Sequence, residues 1–237
     1  VMSLYTIEAI NQLGPIVSVA NLLSCKYDAV VTNPPYMGNK GMDAKLSLYV
    51  QNNYPDTKLD LFAVFISSTN SMLKNIGFQS MITQHSWIFL QSFSNMRVDL
   101  LQNSRLVNMA HLGSRAFDEI GGEVVQTTSF IFSKQHVRNY NSVFSRLVGI
   151  DGEKNKSEAF LEKKSIYCVN SEKFFVIPNQ PITYWLGNSV LSLFSNEKSL
   201  GDIYDTKLGM STNDNNRFLR FWYEVNLQDS CFDRKNE

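Results

Sequence analysis

Short apolar runs alternate with segments of helical apolar spacing along the first two thirds of the chain. Ala29-Val30-Val31 form an apolar run behind Asp28, shortly before a proline pair, and residues 28–32 have the pattern of a buried parallel strand. Residues 58–76 place apolar side chains on one helical face, with Thr57 and Asp60 resembling a capping box and Gly77 suiting the helix end. Further strands are predicted at 78–83, 106–112, 123–133 and 142–148, and further helices at 96–102, 184–194 and toward the end of 151–164. The alternation indicates an α/β fold, with 123–133 antiparallel at the sheet edge.

The strand at 28–32 runs directly into the tetrapeptide Asn33-Pro34-Pro35-Tyr36. Each proline fixes its own φ and keeps the preceding residue out of the helical region, so Asn33 and Pro34 are held extended. In open α/β sheets, ligands bind beyond the carboxyl ends of the strands. The tetrapeptide is therefore predicted to lie in a ligand crevice. A rigid turn that only ends the strand is the alternative interpretation.

The residue types in this tetrapeptide suit methyl transfer to a planar amino group. Such an amine is a weak nucleophile, and two fixed acceptors for its N–H groups draw its nitrogen toward tetrahedral geometry. The Asn33 side-chain oxygen and the Pro34 carbonyl are the two candidates, and both stabilise the positive charge that grows on the nitrogen. Tyr36 offers a flat face on which an extruded base can stack.

A wider set of segments resembles one family. The run Asp28-Ala29-Val30-Val31-Thr32-Asn33-Pro34-Pro35-Tyr36 resembles the catalytic motif of amino-methyltransferases that use S-adenosylmethionine. The following residues 37–42 narrow the resemblance to the adenine-specific DNA methyltransferases of BREX-type phage-exclusion systems, relatives of the fused type IIG restriction-modification enzymes. Segments 60–65, 84–87, 109–113, 121–128 and 215–218 agree with the same family.

The resemblance implies part of a Rossmann-like class I methyltransferase domain with a mixed sheet. It implies transfer of methyl from S-adenosylmethionine to the N6 amine of a flipped adenine in double-stranded DNA, with Asn33, Pro34, Pro35 and Tyr36 catalytic. Phe117 matches the place of a second aromatic against the flipped base, although a hydrophobic plug in its loop is equally compatible. Trp87 and Phe89 could pack or line the base pocket, and packing is favoured. The lone histidine at position 111 is expected in the core.

The cofactor side of such an enzyme is poorly represented in the sequence. No G-x-G turn occurs, and the family places that turn upstream of the tetrapeptide. Asn21 lies where the family often has an acidic residue that binds the cofactor's adenine, but a plain loop asparagine is the favoured interpretation. We therefore expect a fragment that is inactive and binds S-adenosylmethionine weakly. The strand at 28–32 should keep one free edge, which residues 16–23 or a second copy could pair.

The composition of the chain limits the binding partners and the cellular compartment that can be expected. Lysine plus arginine equals aspartate plus glutamate at 22 each, so no global basic field indicates nucleic acid, and any basic surface must be local. Cys25, Cys168 and Cys231 are odd in number and lack histidines at ligand spacing, which argues against a disulfide framework and a metal site. A reducing cytoplasm fits best. No apolar run reaches the length of a membrane span.

Changes in composition along the sequence divide the chain into three parts. Residues 1–150 are predicted to be the later part of the catalytic domain, 151–199 an insertion and linker, and 200–237 the start of a target-recognition region. In the last part Lys207, Arg217 and Arg220 lie among aromatic residues, a combination suited to DNA. Docking of a following domain explains the same residues equally well.

Two other functions stay open from the sequence. A protein glutamine-N5 methyltransferase uses the same tetrapeptide on a planar amide, but its chain usually ends soon after the sheet. A non-catalytic DNA-binding specificity module is the other alternative. Other subunits of a phage-defence system are candidate partners.

Overall fold

The computed structural model describes residues 4–117, 125–196, 198–205, 214–226 and 228. The chain divides into two compact units, Val1–Asn196 and Glu197–Glu237. The first unit contains the sheet and most of the helices.

In the first unit, helices and strands follow one another along the chain. They are α1 (Leu4–Ser24), β1 (Tyr27–Thr32), α2 (Ala44–Asn53), α3 (Leu61–Met72), β2 (Leu73–Gln84), α4 (Ser94–Asn103), β3 (Arg105–Gly113), β4 (Thr127–Ser133), β5 (Asn141–Arg146), α5 (Glu153–Leu161), β6 (Ile166–Asn170) and α6 (Asn188–Asn196). Short 3-10 helices occupy Asn39–Gly41, His85–Ile88, Gln91–Phe93 and Ser171–Val176. The second unit contains α7 (Leu200–Ile203), α8 (Asn215–Phe218) and a 3-10 turn at Trp222–Glu224.

The six strands form one mixed sheet in the order β1-β2-β4-β3-β5-β6. β1 and β2 are parallel, as are β3 and β5, whereas β4 is antiparallel to both of its neighbours. Because β2 and β3 both oppose β4, the carboxyl ends of β1, β2, β3 and β5 meet at the same edge of the sheet. The predicted α/β fold with a mixed sheet is confirmed. The predicted edge position of β4 is wrong, since β4 lies between β2 and β3.

Strand β1 is the outer strand of the described sheet. Its side chains are mostly exposed, and Val31 is 76% exposed. The free edge is as expected, but the expectation of a buried strand is wrong because β1 has a neighbour on one side only. Residues 16–23, considered as a pairing strand, belong instead to α1, whose apolar side chains are largely exposed.

The ends of α3 also differ from the sequence pattern. Asp60 is the N-cap and its carboxylate accepts from the Phe62 amide, so the helix begins at Leu61 rather than at 58. Gly77 does not end the helix but lies within β2. A Cβ at that position would be 2.9 Å from the Tyr27 carbonyl oxygen, so glycine permits the close approach of β1.

The core lies on the face of the sheet that α3 and α4 cover. Trp87, expected to pack, is fully buried and its indole N–H donates to the Thr83 hydroxyl at 3.1 Å. The predicted helix at 184–194 begins only at Asn188, because Tyr184 is instead a core residue stacked on Phe144 at 4.5 Å between ring centroids. Other large core side chains are Phe62, Ile66, Met81, Phe130, Phe132 and Phe174.

Candidate active site

The tetrapeptide 33–36 follows β1 at the carboxyl edge of the sheet. Thr32 pairs with Met81 of β2, so the tetrapeptide begins beside the last three residues of that strand. Asn33 and Pro35 are exposed, Pro34 is buried and Tyr36 is half-buried. The sequence thus alternates between contact with the protein and access to solvent, which is what an extended segment at a sheet edge produces.

Both proposed acceptor atoms face no competing donor. Within the described part of the chain, no group donates a hydrogen bond to the Asn33 side-chain oxygen or to the Pro34 carbonyl. An acceptor already bound to the protein would have to exchange partners before it could bind an amine. These two oxygens are therefore available to a ligand without rearrangement.

Tyr36 is fixed at both ends of its ring. Its hydroxyl donates to the Ile82 carbonyl at 3.3 Å, and its ring meets Phe62 edge to face at 6.4 Å between centroids. Partial burial raises the pKa of the Tyr36 phenol, so the hydroxyl stays protonated at neutral pH. The ring is anchored to β2 while half of it remains accessible.

Asp60 ties the residues after the tetrapeptide to the start of α3. Its Oδ1 accepts from the Met37 amide at 3.1 Å and from the Phe62 amide at 3.3 Å. The backbone strengthens the link, since the Leu61 amide donates to the Met37 carbonyl at 3.0 Å. Burial raises the pKa of Asp60, and the backbone hydrogen bonds oppose that shift. The segment is therefore held by prolines on one side and by a helix cap on the other.

A second segment, residues 85–90, leaves β2 at the same edge. It is held by Arg97 of α4, whose side chain is fully buried. Nη1 donates to the carbonyls of Trp87 at 2.6 Å and Leu90 at 2.7 Å, while Nε and Nη2 reach the carbonyls of Gln180 and Asn179. Burial lowers the pKa of Arg97 to about 10, so the guanidinium remains charged at neutral pH.

Arg97 is a residue that the sequence reasoning missed, as is the core position of Tyr184. A signal for Arg97 was present, because it lies beside Met96 in the apolar stripe that continues through Leu100 and Leu101. A cation in a buried stripe requires several acceptors. Two of the four acceptors, the carbonyls of Asn179 and Gln180, are 82 and 83 residues away and could not be inferred from spacing.

Phe117 lies in the loop after β3 and is half-buried. In the described residues no ring contact joins it to Tyr36, so the two predicted stacking residues do not touch. Asn21 is exposed on α1 rather than in a loop, because residues around it form a continuous helix through Ser24. The side chains of Asn21 and Asn33 share no contact among those that the structure describes.

The basic residues predicted for DNA belong to the second unit. Arg217 is close to the start of α8, and its guanidinium lies 5.1 Å from the Phe218 ring centroid. Arg220 donates to the Asn216 and Leu219 carbonyls. Phe221 and Tyr223 stack at 5.3 Å and are each 65% exposed. Lys207 lies outside the described residues.

Among the described residues, no three His, Cys, Asp or Glu side chains are placed to hold a metal ion. None of the described helices is long and apolar enough to cross a membrane.

Comparison with known proteins places the chain. Residues 7–117 match the family model of the Eco57I restriction-modification methylases. The chain is 41% identical over 221 residues to the adenine-specific methyltransferase PglX of Lacticaseibacillus casei (strain Zhang), covering 90% of this chain and 18% of that protein. It is 40% identical over 222 residues to the adenine-specific methyltransferase BrxX of Escherichia coli O9:H4 (strain HS), covering 93% of this chain and 18% of that protein.

A solved structure shares the fold. The nuclease-deletion mutant of the Type ISP restriction-modification enzyme LlaGI, in complex with a DNA substrate mimic, matches with a TM-score of 0.54 and 13% identity over 74% of this chain and 20% of that chain. The chain spans about a fifth of the length of the curated relatives that it matches. Residues 7–117 are thus similar to the Eco57I restriction-modification methylases, and nearly the whole chain is similar to a segment of the PglX and BrxX adenine-specific methyltransferases.

Proposed function

We propose that this chain supplies the amine-binding half of a site-specific DNA adenine-N6 methyltransferase, in a phage-defence or restriction-modification system. One observation carries the proposal: two unoccupied acceptors, the Asn33 side-chain oxygen and the Pro34 carbonyl, lie on a proline-fixed segment beside the anchored ring of Tyr36. The homology to adenine-specific methyltransferases gives the class of substrate.

The two acceptors act on the amine before and during methyl transfer. Each accepts one N–H of the adenine N6 group and orients the nitrogen lone pair toward the incoming methyl. Positive charge develops on N6 as the new N–C bond forms, and acceptors already in place stabilise it without reorganisation. The methylated N6 cation then releases one proton to water, because neither amide oxygen is basic enough to take it. Pro35 keeps the Pro34 carbonyl extended, since a residue before proline avoids the helical region.

S-adenosylmethionine, when bound, supplies the methyl group. The described residues supply only one side of a site for this cofactor, the side that binds the amine. The free edge of β1 borders the site, and the exposed Asn21 side chain on α1 makes no hydrogen bond within the described ranges. These residues do not form a cofactor pocket, so we assign them the acceptor side only.

The DNA-binding part of the proposal concerns three groups of residues. Tyr36 stacks on the extruded adenine, and Phe117 is the second aromatic. Lys207, Arg217 and Arg220 contact phosphates within residues 200–237, the start of target recognition, which follow a catalytic part at 1–150 and a linker at 151–199. The exposed cation and rings around Phe218 suit contact with phosphate and bases. A cytoplasmic location accompanies this function.

The direct test is methylation of two substrate classes by the full-length protein. Duplex DNA carrying many sequence contexts, and peptides with exposed glutamine, are incubated with radiolabelled S-adenosylmethionine, and methylated adenine is measured by mass spectrometry. We expect N6-methyladenine in DNA and no labelled peptide. Labelled glutamine would support the protein methyltransferase, and binding to DNA without any label would support a non-catalytic specificity module.

A further inference from the structure

A chain of three hydrogen-bonded side chains lies at the same sheet edge as the tetrapeptide. His85 Nδ1 is 2.8 Å from His111 Nε2, and His111 Nδ1 is 2.9 Å from the Tyr184 hydroxyl. His111 and Tyr184 are 3% and 1% exposed, whereas His85 is half-buried. The amine-binding site described above does not use these groups. A buried polar chain that ends at a partly open side chain is positioned to present a defined group to a ligand.

The hydrogen bonds in this chain have one consistent direction. The positive charge of Arg146 acts on the Tyr184 hydroxyl and favours the orientation in which the oxygen faces the cation and the hydrogen is directed to His111 Nδ1. His111 then carries its proton on Nε2 and donates to His85 Nδ1. His85 must therefore carry its own proton on Nε2. Burial keeps both imidazoles neutral by lowering their pKa values, to about 3 for His111.

The outer nitrogen of His85 is open. Within the described part of the chain, no group bonds its Nε2 atom. Phe89 contacts the imidazole edge to face at 5.4 Å between centroids and limits its rotation, and the His85 amide donates to the Gln126 carbonyl at 2.9 Å. The ring and its backbone are both held, so the Nε2–H group is a fixed donor.

His85 also lies between the elements that carry the two predicted stacking residues. Tyr36 follows β1 and is bonded to Ile82, three residues before His85 on β2. Phe117 follows β3, the strand that carries His111. In the sheet order β1-β2-β4-β3, neighbouring strands are about 4.8 Å apart, so His85, at the end of β2, lies about a third of the way from β1 across a span of about 14 Å. That is the space in which a base extruded between Tyr36 and Phe117 would sit.

Adenine offers an acceptor on either side of its N6 amine, namely the ring nitrogens N1 and N7. With the amine bound by Asn33 and Pro34, a donor that approaches in the plane of the base can reach one of these nitrogens. We propose that His85 Nε2–H donates a hydrogen bond to that ring nitrogen of the extruded adenine, and that His111 and Tyr184 fix the tautomer and orientation of His85. This inference rests on the proposed function and adds a residue that reads the base.

Deaza analogues at the target position test the contact directly. The full-length protein is assayed for kcat/KM on DNA containing adenine, 1-deazaadenine, 7-deazaadenine or, as a control, 3-deazaadenine. Loss of one hydrogen bond to a buried group lowers kcat/KM by about 10- to 100-fold, and only for the 1-deaza or the 7-deaza substrate. The His85→Phe variant keeps a ring but lacks the donor, so it should lose this discrimination and methylate adenine about as slowly as the wild type methylates the analogue.

The outcomes separate the two proposals. If His85→Phe discriminates among the analogues as the wild type does, the contact is refuted. If the wild type methylates no DNA adenine at all, the proposed function is refuted. That result is obtained with unmodified adenine, before any deaza analogue is compared. His85→Ala is a second variant in case the phenylalanine is too large, and exposed His136→Ala is the matched control that should leave the discrimination unchanged.

Tyr184→Phe tests the positioning role. It removes the hydrogen that fixes the His111 tautomer while preserving the ring stacked on Phe144. We expect Tyr184→Phe to reduce the deaza discrimination at least threefold while the KM for DNA stays within twofold, and a merely structural role would leave the discrimination intact. Retained discrimination in Tyr184→Phe would refute the relay from Tyr184 to His85.

Discussion

Two segments leave neighbouring parallel strands at the same sheet edge, and they are held in different ways. Residues 33–36 after β1 are fixed largely by their own prolines and by a hydrogen bond to the next strand. Residues 85–90 after β2 are fixed by Arg97, which comes from another helix and also binds residues 179 and 180. The first segment leaves its acceptors open, and the second has its carbonyls occupied. The local restraint leaves backbone and side-chain acceptors free for a ligand, whereas the distant restraint occupies backbone carbonyls and leaves the His85 side chain as the open group.

The largest effect should come from breaking the distant restraint. Arg97→Ala leaves up to four carbonyl groups without their charged donor, and we expect local destabilisation of about 3–5 kcal/mol, since each buried group left unsatisfied costs about 1–3 kcal/mol and water reaches some of them. Amide hydrogen exchange in the full-length protein should show faster exchange at 85–90 and 178–182, with unchanged exchange of the Asn39 and Leu61 amides, whose backbone hydrogen bonds hold the chain just after the tetrapeptide. Exposed Arg138→Ala is the control, expected within about 0.5 kcal/mol of the wild type. Unchanged exchange in Arg97→Ala would refute the restraint.

The next effect concerns the open acceptors of the first segment. Asn33→Ala removes one of the two oxygens that stabilise charge on the amine, and we expect kcat for DNA methylation to fall by about 10²–10³, or about 2.7–4 kcal/mol. Folding should not change, because the Asn33 side chain has no protein partner in the described residues. Asn75→Ala, at an exposed position on β2, is the matched control. Wild-type activity in Asn33→Ala would show that the motif has another role.

Tyr36 provides a further test of the comparison, because its hydroxyl joins the first segment to β2. Tyr36→Ala removes the stacking face and should weaken base extrusion by about 1–3 kcal/mol. Tyr36→Phe keeps the face and loses only the 3.3 Å hydrogen bond to Ile82, so most activity should remain. The fluorescence of 2-aminopurine at the target position reports extrusion. Equal signals from Tyr36→Ala and the wild type would exclude stacking.

The same contrast explains what the sequence could predict. The tetrapeptide was interpretable because proline acts on its own and the preceding residue, so the conformation is encoded within four positions. The α/β pattern followed from periodicity for the same reason. The Arg97 contacts and the chain from His85 to Tyr184 join residues up to 83 and 73 positions apart, and no local pattern encodes such pairings. The prediction that Gly77 ends the helix is wrong for the same reason. Glycine is needed there because β1 approaches closely, and the local sequence does not encode a contact with a distant strand.

The smallest expected effect is a pH dependence of local stability that differs between the two segments. Burial lowers the pKa of His111 to about 3 from an ordinary value of 6.5, and it lowers the pKa of His85 as well. The folded state therefore binds fewer protons than the unfolded state between these values. The stabilisation is fully present above pH 6.5 and is lost as the pH falls, by about 1.5 kcal/mol between pH 6.5 and 5 for His111 alone.

Urea unfolding of the full-length protein is measured at a series of pH values, with hydrogen exchange at 85–90 as the local probe of this loss. The exchange data are corrected for the pH dependence of the intrinsic exchange rates. His111→Gln should flatten the pH dependence at 85–90 and leave only the part due to His85. The exposed His136→Gln should keep the wild-type slope. The Asn39 and Leu61 amides just after the tetrapeptide should respond less than 85–90, and an equal acid response at both places would contradict the assignment of the effect to the buried pair.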